Sequence, residues 1–450
     1  MDRRAFLRVA GGAAVLAAAG CGSGGERSKP AAEGKPVAEA AGRPTLRIAL
    51  WSHFIPGYDA WFDQQYVRQW SEEHDIEVVV DHYPYAELPA RAEAEVAASS
   101  GHDIFGFITP PARFEDAAID HRDVVTEVEA KLGKLSPLVE RNTLNPRTGR
   151  FFAFGEYWAP NPVHYRTDLW QEVAGGPPAK WDDVLRAASK LKAKGFPIGI
   201  GLSNDDDSAF SLLGLMNSYG SGLQDADGRL ALDTPATVEA VKMGAAIYRA
   251  GMTEEVFSWD SSSNNRLLAT GRGSFILNAI SAIRAAEDQD RGLAGKIGLA
   301  PALAGRAAPL GTHSVVKAHV IWRFARNPSA AQQFLVDLAL NYREAFLRSR
   351  FYNLPAFPGA VPDLAQIVAD DDSVQPPSKY ALLGNAEAWS TNIGHPGHAN
   401  AAVMEIFDQF IVPLMFAAAA KGEMTAEEAV RQAHAQAAPI FDEWRERGKI

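Results

Sequence analysis

The sequence predicts an α/β protein of two lobes that meet at a hinge. Three observations point there. Strands and helices alternate from residue 45, the pattern of a parallel sheet with crossover helices. A second alternating series begins at Asp168, and Pro160 and Pro162 mark the crossing between the two. Long helices continue after the last strand, so the two series interrupt one another instead of following like beads on a string.

Residues 45–51, Thr-Leu-Arg-Ile-Ala-Leu-Trp, read as the first strand. Residues 59–74 read as a helix, with Ala60, Trp61, Tyr66, Val67 and Trp70 forming an apolar stripe at helical spacing. Residues 76–80 are a second strand, the alanine-rich 87–99 a second helix, and 103–108 a third strand closed by Pro110 and Pro111. Strands at 150–155 and 163–165 flank the proline-marked crossing. In the second series, Pro177 and Pro178 introduce a helix at 181–193, and 197–202 is a strand. Helices follow at 208–219 and 234–250, the latter with Thr234 as its cap and Pro235 in its first turn. Residues 273–277, 297–300 and 315–321 are strands, 329–340 a helix, and 401–419 and 425–447 alanine-rich helices.

Ahead of this body, Arg3-Arg4-Ala5-Phe6-Leu7-Arg8 resembles a twin-arginine export signal. A mildly apolar run ends in Leu16-Ala17-Ala18-Ala19-Gly20-Cys21, which resembles a bacterial lipoprotein cleavage box. The run is shorter than the roughly 20 apolar residues a bilayer span needs, so 1–20 reads as a cleavable signal peptide. Cys21 then becomes the lipidated first residue of an exported protein, anchored in a cell membrane and facing the periplasm or the cell exterior. Residues 21–44 are mostly Gly, Ser, Ala, Pro, Glu and Lys and read as a flexible tether. The expected lobes are 45–157 with about 304–350, and 158–303 with about 351–450.

Cys21 is the only cysteine, so no intrachain disulfide forms. A net charge of −11, more acidic still without the arginine-bearing leader, argues against nucleic acid as a partner. The apolar stretch 410–420 is short and holds Pro413, which argues against a membrane span. No phosphate loop, dinucleotide fingerprint or nucleophile elbow is present, so no cofactor is expected. His395-Pro396-Gly397-His398 lacks helical metal-ligand spacing and an evident third ligand, so no metal is expected either. Asp205-Asp206-Asp207 and Asp370-Asp371-Asp372 read as solvated loops.

Four stretches carry a resemblance. They are Tyr85-Ala86-Glu87-Leu88-Pro89-Ala90-Arg91 with Gly101-His102-Asp103-Ile104; Tyr165-Arg166-Thr167-Asp168-Leu169-Trp170 with Trp181-Asp182-Asp183; Ser218-Tyr219-Gly220 with Leu232-Asp233-Thr234-Pro235; and Trp259-Asp260 with Asn264-Asn265-Arg266, Gly271-Arg272-Gly273-Ser274-Phe275 and Asn278. In this order the chain resembles the extracellular solute-binding proteins of family 1, the carbohydrate receptors of ABC importers. One departure is Gly311-Thr312-His313-Ser314, where many relatives carry a glycine pair. The resemblance implies a type II, periplasmic-binding-protein-like fold, with a sugar or oligosaccharide bound in the cleft between lobes. It also implies hinge closure, delivery to permease subunits with an ATPase, and no catalysis; a monomer is expected. Two alternatives stay open: a surface-anchored lyase or glycosidase, and the same receptor fold serving a glycerophosphodiester or polyamine.

A sugar offers apolar ring faces and a rim of hydroxyls, which call for aromatic platforms and for carboxylates, amides and guanidinium groups. In open α/β sheets, ligands sit beyond the carboxyl ends of strands. That rule selects Trp51 and His53 after the first strand, Tyr85 and Glu87 after the second, and Thr109 after the third. It adds Trp158 at the crossing and Asn278 at the end of a later strand. Trp259, Asp260 and Arg266 belong to a polar loop, and Tyr352 and Trp389 lie in late loops. Trp51, Trp158, Trp259 and Trp389 either face ligand or pack in the core, and Arg266 either binds or caps a helix.

Overall fold

The computed structural model describes residues 43–450. The proposed signal peptide, Cys21 and all of the tether before Arg43 lie outside the described residues.

The strands, in chain order, are β1 (Thr45–Trp51), β2 (Glu77–Tyr83), β3 (Ile104–Phe107), β4 (Leu144–Asn145), β5 (Arg150–Phe151), β6 (Phe154–Pro160), β7 (Val163–Arg166), β8 (Ile198–Gly199), β9 (Phe275–Leu277), β10 (Ile297–Ala300), β11 (Gly311–Ile321), β12 (Leu354–Pro355) and β13 (Ser390–Thr391). The large sheet runs β12-β6-β11-β3-β1-β2, with β13 added to β11. Strands β1, β2 and β3 are parallel, as the alternating pattern predicts, with Thr45 to Trp51 standing opposite Glu77 to Tyr83. The sheet as a whole is mixed, because β11 enters antiparallel to β3 and β6 antiparallel to β11. The second sheet, β10-β7-β9-β8, is mixed as well.

β1 lies between β3 and β2 and is buried on both faces over its second half, with Leu46, Ile48 and Leu50 on one face and Ala49 and Trp51 on the other. The chain then enters one continuous helical rod. A helix over Pro56–Trp61 passes through a wider π turn at Phe62–Val67 into Arg68–His74. In the second series, Trp181–Ala193 buries Trp181, Val184, Ala187, Ala188 and Leu191, one stripe at steps of three and four. Its N-terminus is closed by Asp183, whose carboxylate accepts from the Lys180 N–H at 2.9 Å. Thr234 caps Pro235–Gly251 by accepting from the Thr237 N–H at 3.2 Å. Thr425 and Glu428 cap Ala426–Glu446 reciprocally.

Several findings differ from the sequence reading. The strand expected at 150–155 divides into Arg150–Phe151, which pairs with β4, and Phe154–Pro160 of the large sheet. The strand expected at 197–202 is only Ile198–Gly199. Leu354–Pro355, assigned to the second lobe, pairs with β6 of the large sheet. The helix expected over 401–419 breaks into Ala401–Asp408 and Ile411–Lys421, because Phe410 adopts a left-handed conformation at φ 54°. Among the described residues no single helix is long and apolar enough to cross a membrane.

β6 leads directly into β7, so one stretch of chain passes from the large sheet to the small one. β11 pairs with β6 along the same crossing, and its first residues, Gly311 and Thr312, also pair with β13. Thr312 donates to the carbonyl of Phe210 in the helix Asp206–Ser218, tying the crossing strand to the second series at 2.8 Å. The two lobes are thus joined by paired strands, and the loops beyond the carboxyl ends of β2 and β3 face the second lobe.

Candidate functional site

A cleft of about 650 Å³ lies between the lobes. One wall comes from the first lobe: Tyr85 and Pro89 beyond β2, and Phe107, Thr109 and Arg113 at and beyond β3. The other comes from Asn204, Asp205 and Asp206 beyond β8 and from Trp259, Asp260 and Ser261. Asp408 and Phe410, at the break in the C-terminal helices, complete the rim.

Four predicted residues meet in this cleft: Tyr85, Thr109, Trp259 and Asp260. Trp259 is half-buried and Asp260 exposed. Asp260 does not wait for a partner. It accepts from the hydroxyls of Ser263 at 2.8 Å and Ser262 at 2.9 Å and from Arg266 at 3.1 Å, and these bonds hold its carboxyl well below the usual range. Arg266 is spent on that loop and does not line the cleft.

Several predicted residues lie elsewhere. Trp51 is 2% exposed, stacked on His53 with ring centroids 4.8 Å apart. His53 is buried too. Its Nδ1 accepts from the Ile55 N–H, so Nε2 carries the proton and donates to Asn353 at 3.0 Å; burial pulls its pKa down to about 3. Tyr352 is enclosed beside them, edge-on to His53 at 5.2 Å. The ring that remains open is Phe54, 40% exposed, with centroids 4.7 Å from Trp51 and 6.0 Å from Tyr85. Trp158 is buried and lines a separate cavity with Leu354 and Pro355. Trp389 is buried, and its carbonyl accepts from Gly311 N–H at 2.9 Å. Glu87 pairs with Arg91 at 2.7 Å at the exposed start of its helix. Asn278 is buried behind the cleft wall, donating to Asp207 at 3.1 Å.

Asp205-Asp206-Asp207 is not a solvated loop. Asp205 is buried and caps the helix Asp206–Ser218, accepting from the Ser208 N–H at 3.1 Å. Asp207 is held by the side-chain amides of Asn264 at 3.0 Å and Asn278. Burial, with mutual repulsion added, pushes Asp205 up to about 6 and Asp206 up to about 7, and raises Asp207 well above the carboxylate range. The sequence did carry a signal: an Asp three residues before Ser208, at the head of an apolar run, is a helix start.

The lining is therefore acidic. Glu93, Asp205, Asp206, Asp260 and Asp408 face one cation, Arg113, which already pairs with Asp408 and Glu93. The cleft can offer hydroxyl groups strong acceptors and offer ring faces Tyr85 and Trp259. Among the described residues no group of three or more His, Cys, Asp or Glu side chains is placed to hold a metal ion.

A family model described as bacterial extracellular solute-binding protein matches residues 55–341. A curated binding protein of Brucella abortus is 27% identical over 177 residues, 38% of this chain and 43% of that protein, so the match spans less than half of the relative's length. An ABC transporter solute-binding protein of Thermotoga lettingae, solved with α-D-tagatose, superposes with a TM-score of 0.71 at 15% identity, covering 88% of this chain and 100% of that one. A sugar transporter protein of Arthrobacter chlorophenolicus, solved with laminaribiose, gives 0.73 at 15% identity, covering 88% and 99%. These likenesses show the two-lobed fold.

Proposed function

Since this chain belongs to the bacterial extracellular solute-binding protein family, we propose that it is the capture subunit of an ABC importer and that its solute is a carbohydrate. The observation that carries the reading is the cleft: aromatic rings on both walls, ringed by carboxylates, at the strand ends where such folds bind ligands. The tagatose and laminaribiose complexes of its structural neighbours support the same solute class. An anionic solute such as a glycerophosphodiester fits poorly, because the single lining cation is already neutralised.

Capture proceeds by hinge closure, for which periplasmic binding proteins are a standing example. A solute touching both walls gains contacts in the closed form that the open form lacks, and that difference shifts the population. The closed form is then read by a permease driven by an ATPase. In this reading Cys21 carries lipid, a twin-arginine signal directs export, and the receptor acts as a monomer.

A thermal-shift screen of mono- and oligosaccharides tests the proposal. Solute at 100 times its dissociation constant adds about 2.7 kcal/mol of stability. Stoichiometric binding without release of reducing ends supports a receptor; turnover of a glycan would replace it with a polysaccharide-active enzyme.

A further inference from the structure

The cleft is bridged by an ion pair. Pro110 and Pro111 end β3 and turn the chain into a short helical turn, Ala112–Phe114, that carries Arg113. The guanidinium lies 4.9 Å from the ring of Phe114, which is itself stacked on Phe107 at 5.5 Å. From there it reaches two carboxylates. One, Glu93 at 3.2 Å, belongs to the helix Leu88–Ala98 of its own lobe. The other, Asp408 at 3.1 Å, ends the helix Ala401–Asp408. That helix packs on Ala426–Glu446, Ile411–Lys421 and Asp206–Ser218, the first two of which pack on Pro235–Gly251 of the second series, and it also meets the turn Ala112–Phe114 itself, so the ion pair sits where the two series touch.

We propose that Arg113 and Asp408 form a latch across the cleft, oriented by Glu93, which sets how often the empty receptor is closed. This rests on reading the cleft as the capture site. The surroundings explain why the pair matters more than an ordinary surface bridge. Asp408 faces Glu405, Glu93 and Asp206, and Arg113 is the one cation opposing that field. Removing Arg113 leaves two walls of like charge facing each other, so the closed form loses an attraction and meets a repulsion. Both partners keep some solvent contact, with side chains 25% and 36% exposed. The pair can therefore break and re-form as the lobes move, which a fully buried pair could not do cheaply.

The test is small-angle scattering on the ligand-free full-length protein, beside melting curves. Arg113→Ala and Asp408→Asn are expected to enlarge the radius of gyration while the melting temperature stays nearly constant. A partly exposed pair corresponds to about a two- to fivefold shift in the closed-to-open ratio. Relative to Arg113→Ala, Arg113→Lys should restore part of the compaction, and combining Arg113→Ala with Asp408→Asn should enlarge the radius no further than Arg113→Ala alone, because the same pair is lost only once. Equal radii for the wild type and both single variants, or a double variant that expands well beyond Arg113→Ala, would overturn the latch. Because the measurement needs no solute, its failure is separable from that of the carbohydrate reading. Unchanged radii alongside saccharide binding would sink only the latch. A shifted radius in a protein that binds no saccharide would keep the latch and sink the sugar.

Discussion

Asp206 is the cleft residue whose charge is hardest to maintain. Burial and the neighbouring Asp205 and Asp408 push it up to about 7. The sign has two consequences. The unfolded chain ionises at the ordinary value of 3.8, so stability falls as pH rises from there to about 7 and levels off above it, where Asp206 is charged in both states. Sugar hydroxyls donate more strongly to an ionised carboxylate, so affinity should be full above pH 7 and fall as pH drops through it. Titrations at pH 8 and pH 6 should differ by about tenfold, one decade per unit once the carboxylate is mostly protonated, and Asp206→Asn should flatten the profile. An unchanged affinity in the wild type would remove Asp206 from the contact set. Trp158 behaves in the opposite way. Enclosed beside Leu354 and outside the cleft, it should cost about 3–5 kcal/mol of stability when replaced by alanine and leave solute affinity alone, checked by denaturant unfolding beside calorimetry. At this scale the sequence was half legible. The rule that ligands sit beyond strand ends picked out Tyr85 and Thr109, and the polar loop picked out Trp259 and Asp260, all of which line the cleft. The strand-end rule also chose Trp51, because position after a strand does not say which face a ring turns to; Trp51 folds under Phe54. The three aspartates were passed over because a run of charge resembles a solvated loop until its capping role is weighed.

Among the elements, β2, β3 and the helix Leu88–Ala98 are fastened by one histidine. The His102 ring pairs with Glu95 through Nδ1 and with Asp81 at 2.9 Å through Nε2. Burial draws its pKa down, but hydrogen bonds and charge from Glu95 and Asp81 more than offset that, and the net shift is upward. The stabilisation is therefore complete below the unfolded value of about 6.5 and is lost as pH rises through the folded value. His102→Gln should cost about 1.5–3 kcal/mol at pH 6 and less at pH 9, read from melting curves at both pH values. A cost independent of pH would mean the ring acts by packing alone. Elements of this strength were easy to read. Trp181–Ala193 and Ile297–Ala300 have the bounds their patterns predict, since a buried helical stripe and a short apolar run between turns admit few alternatives. The break at Phe410 was not readable. The apolar pattern continues across it, and a left-handed phenylalanine carries no Gly or Pro mark of its own. The antiparallel entry of β11 into the large sheet was equally hidden, because strand direction follows from connections that span the whole chain.

For the whole molecule, two sheets joined by paired crossing strands leave one cleft where strand ends, aromatic rings and carboxylates converge. The lobed architecture was legible because two alternating series meet at a proline-marked crossing; the chemistry of the cleft was less so, because its walls come from loops far apart in sequence. The central claim is that a carbohydrate binds between those walls. Calorimetric titration tests it most directly, using a saccharide that stabilises the wild type and comparing Trp259→Ala with the unaltered protein. The expected result is one bound saccharide per chain, with Trp259→Ala weakening binding by about 1.5–3 kcal/mol at a nearly unchanged melting temperature. Undiminished affinity in Trp259→Ala would contradict the account, because the solute would then be held somewhere other than this cleft.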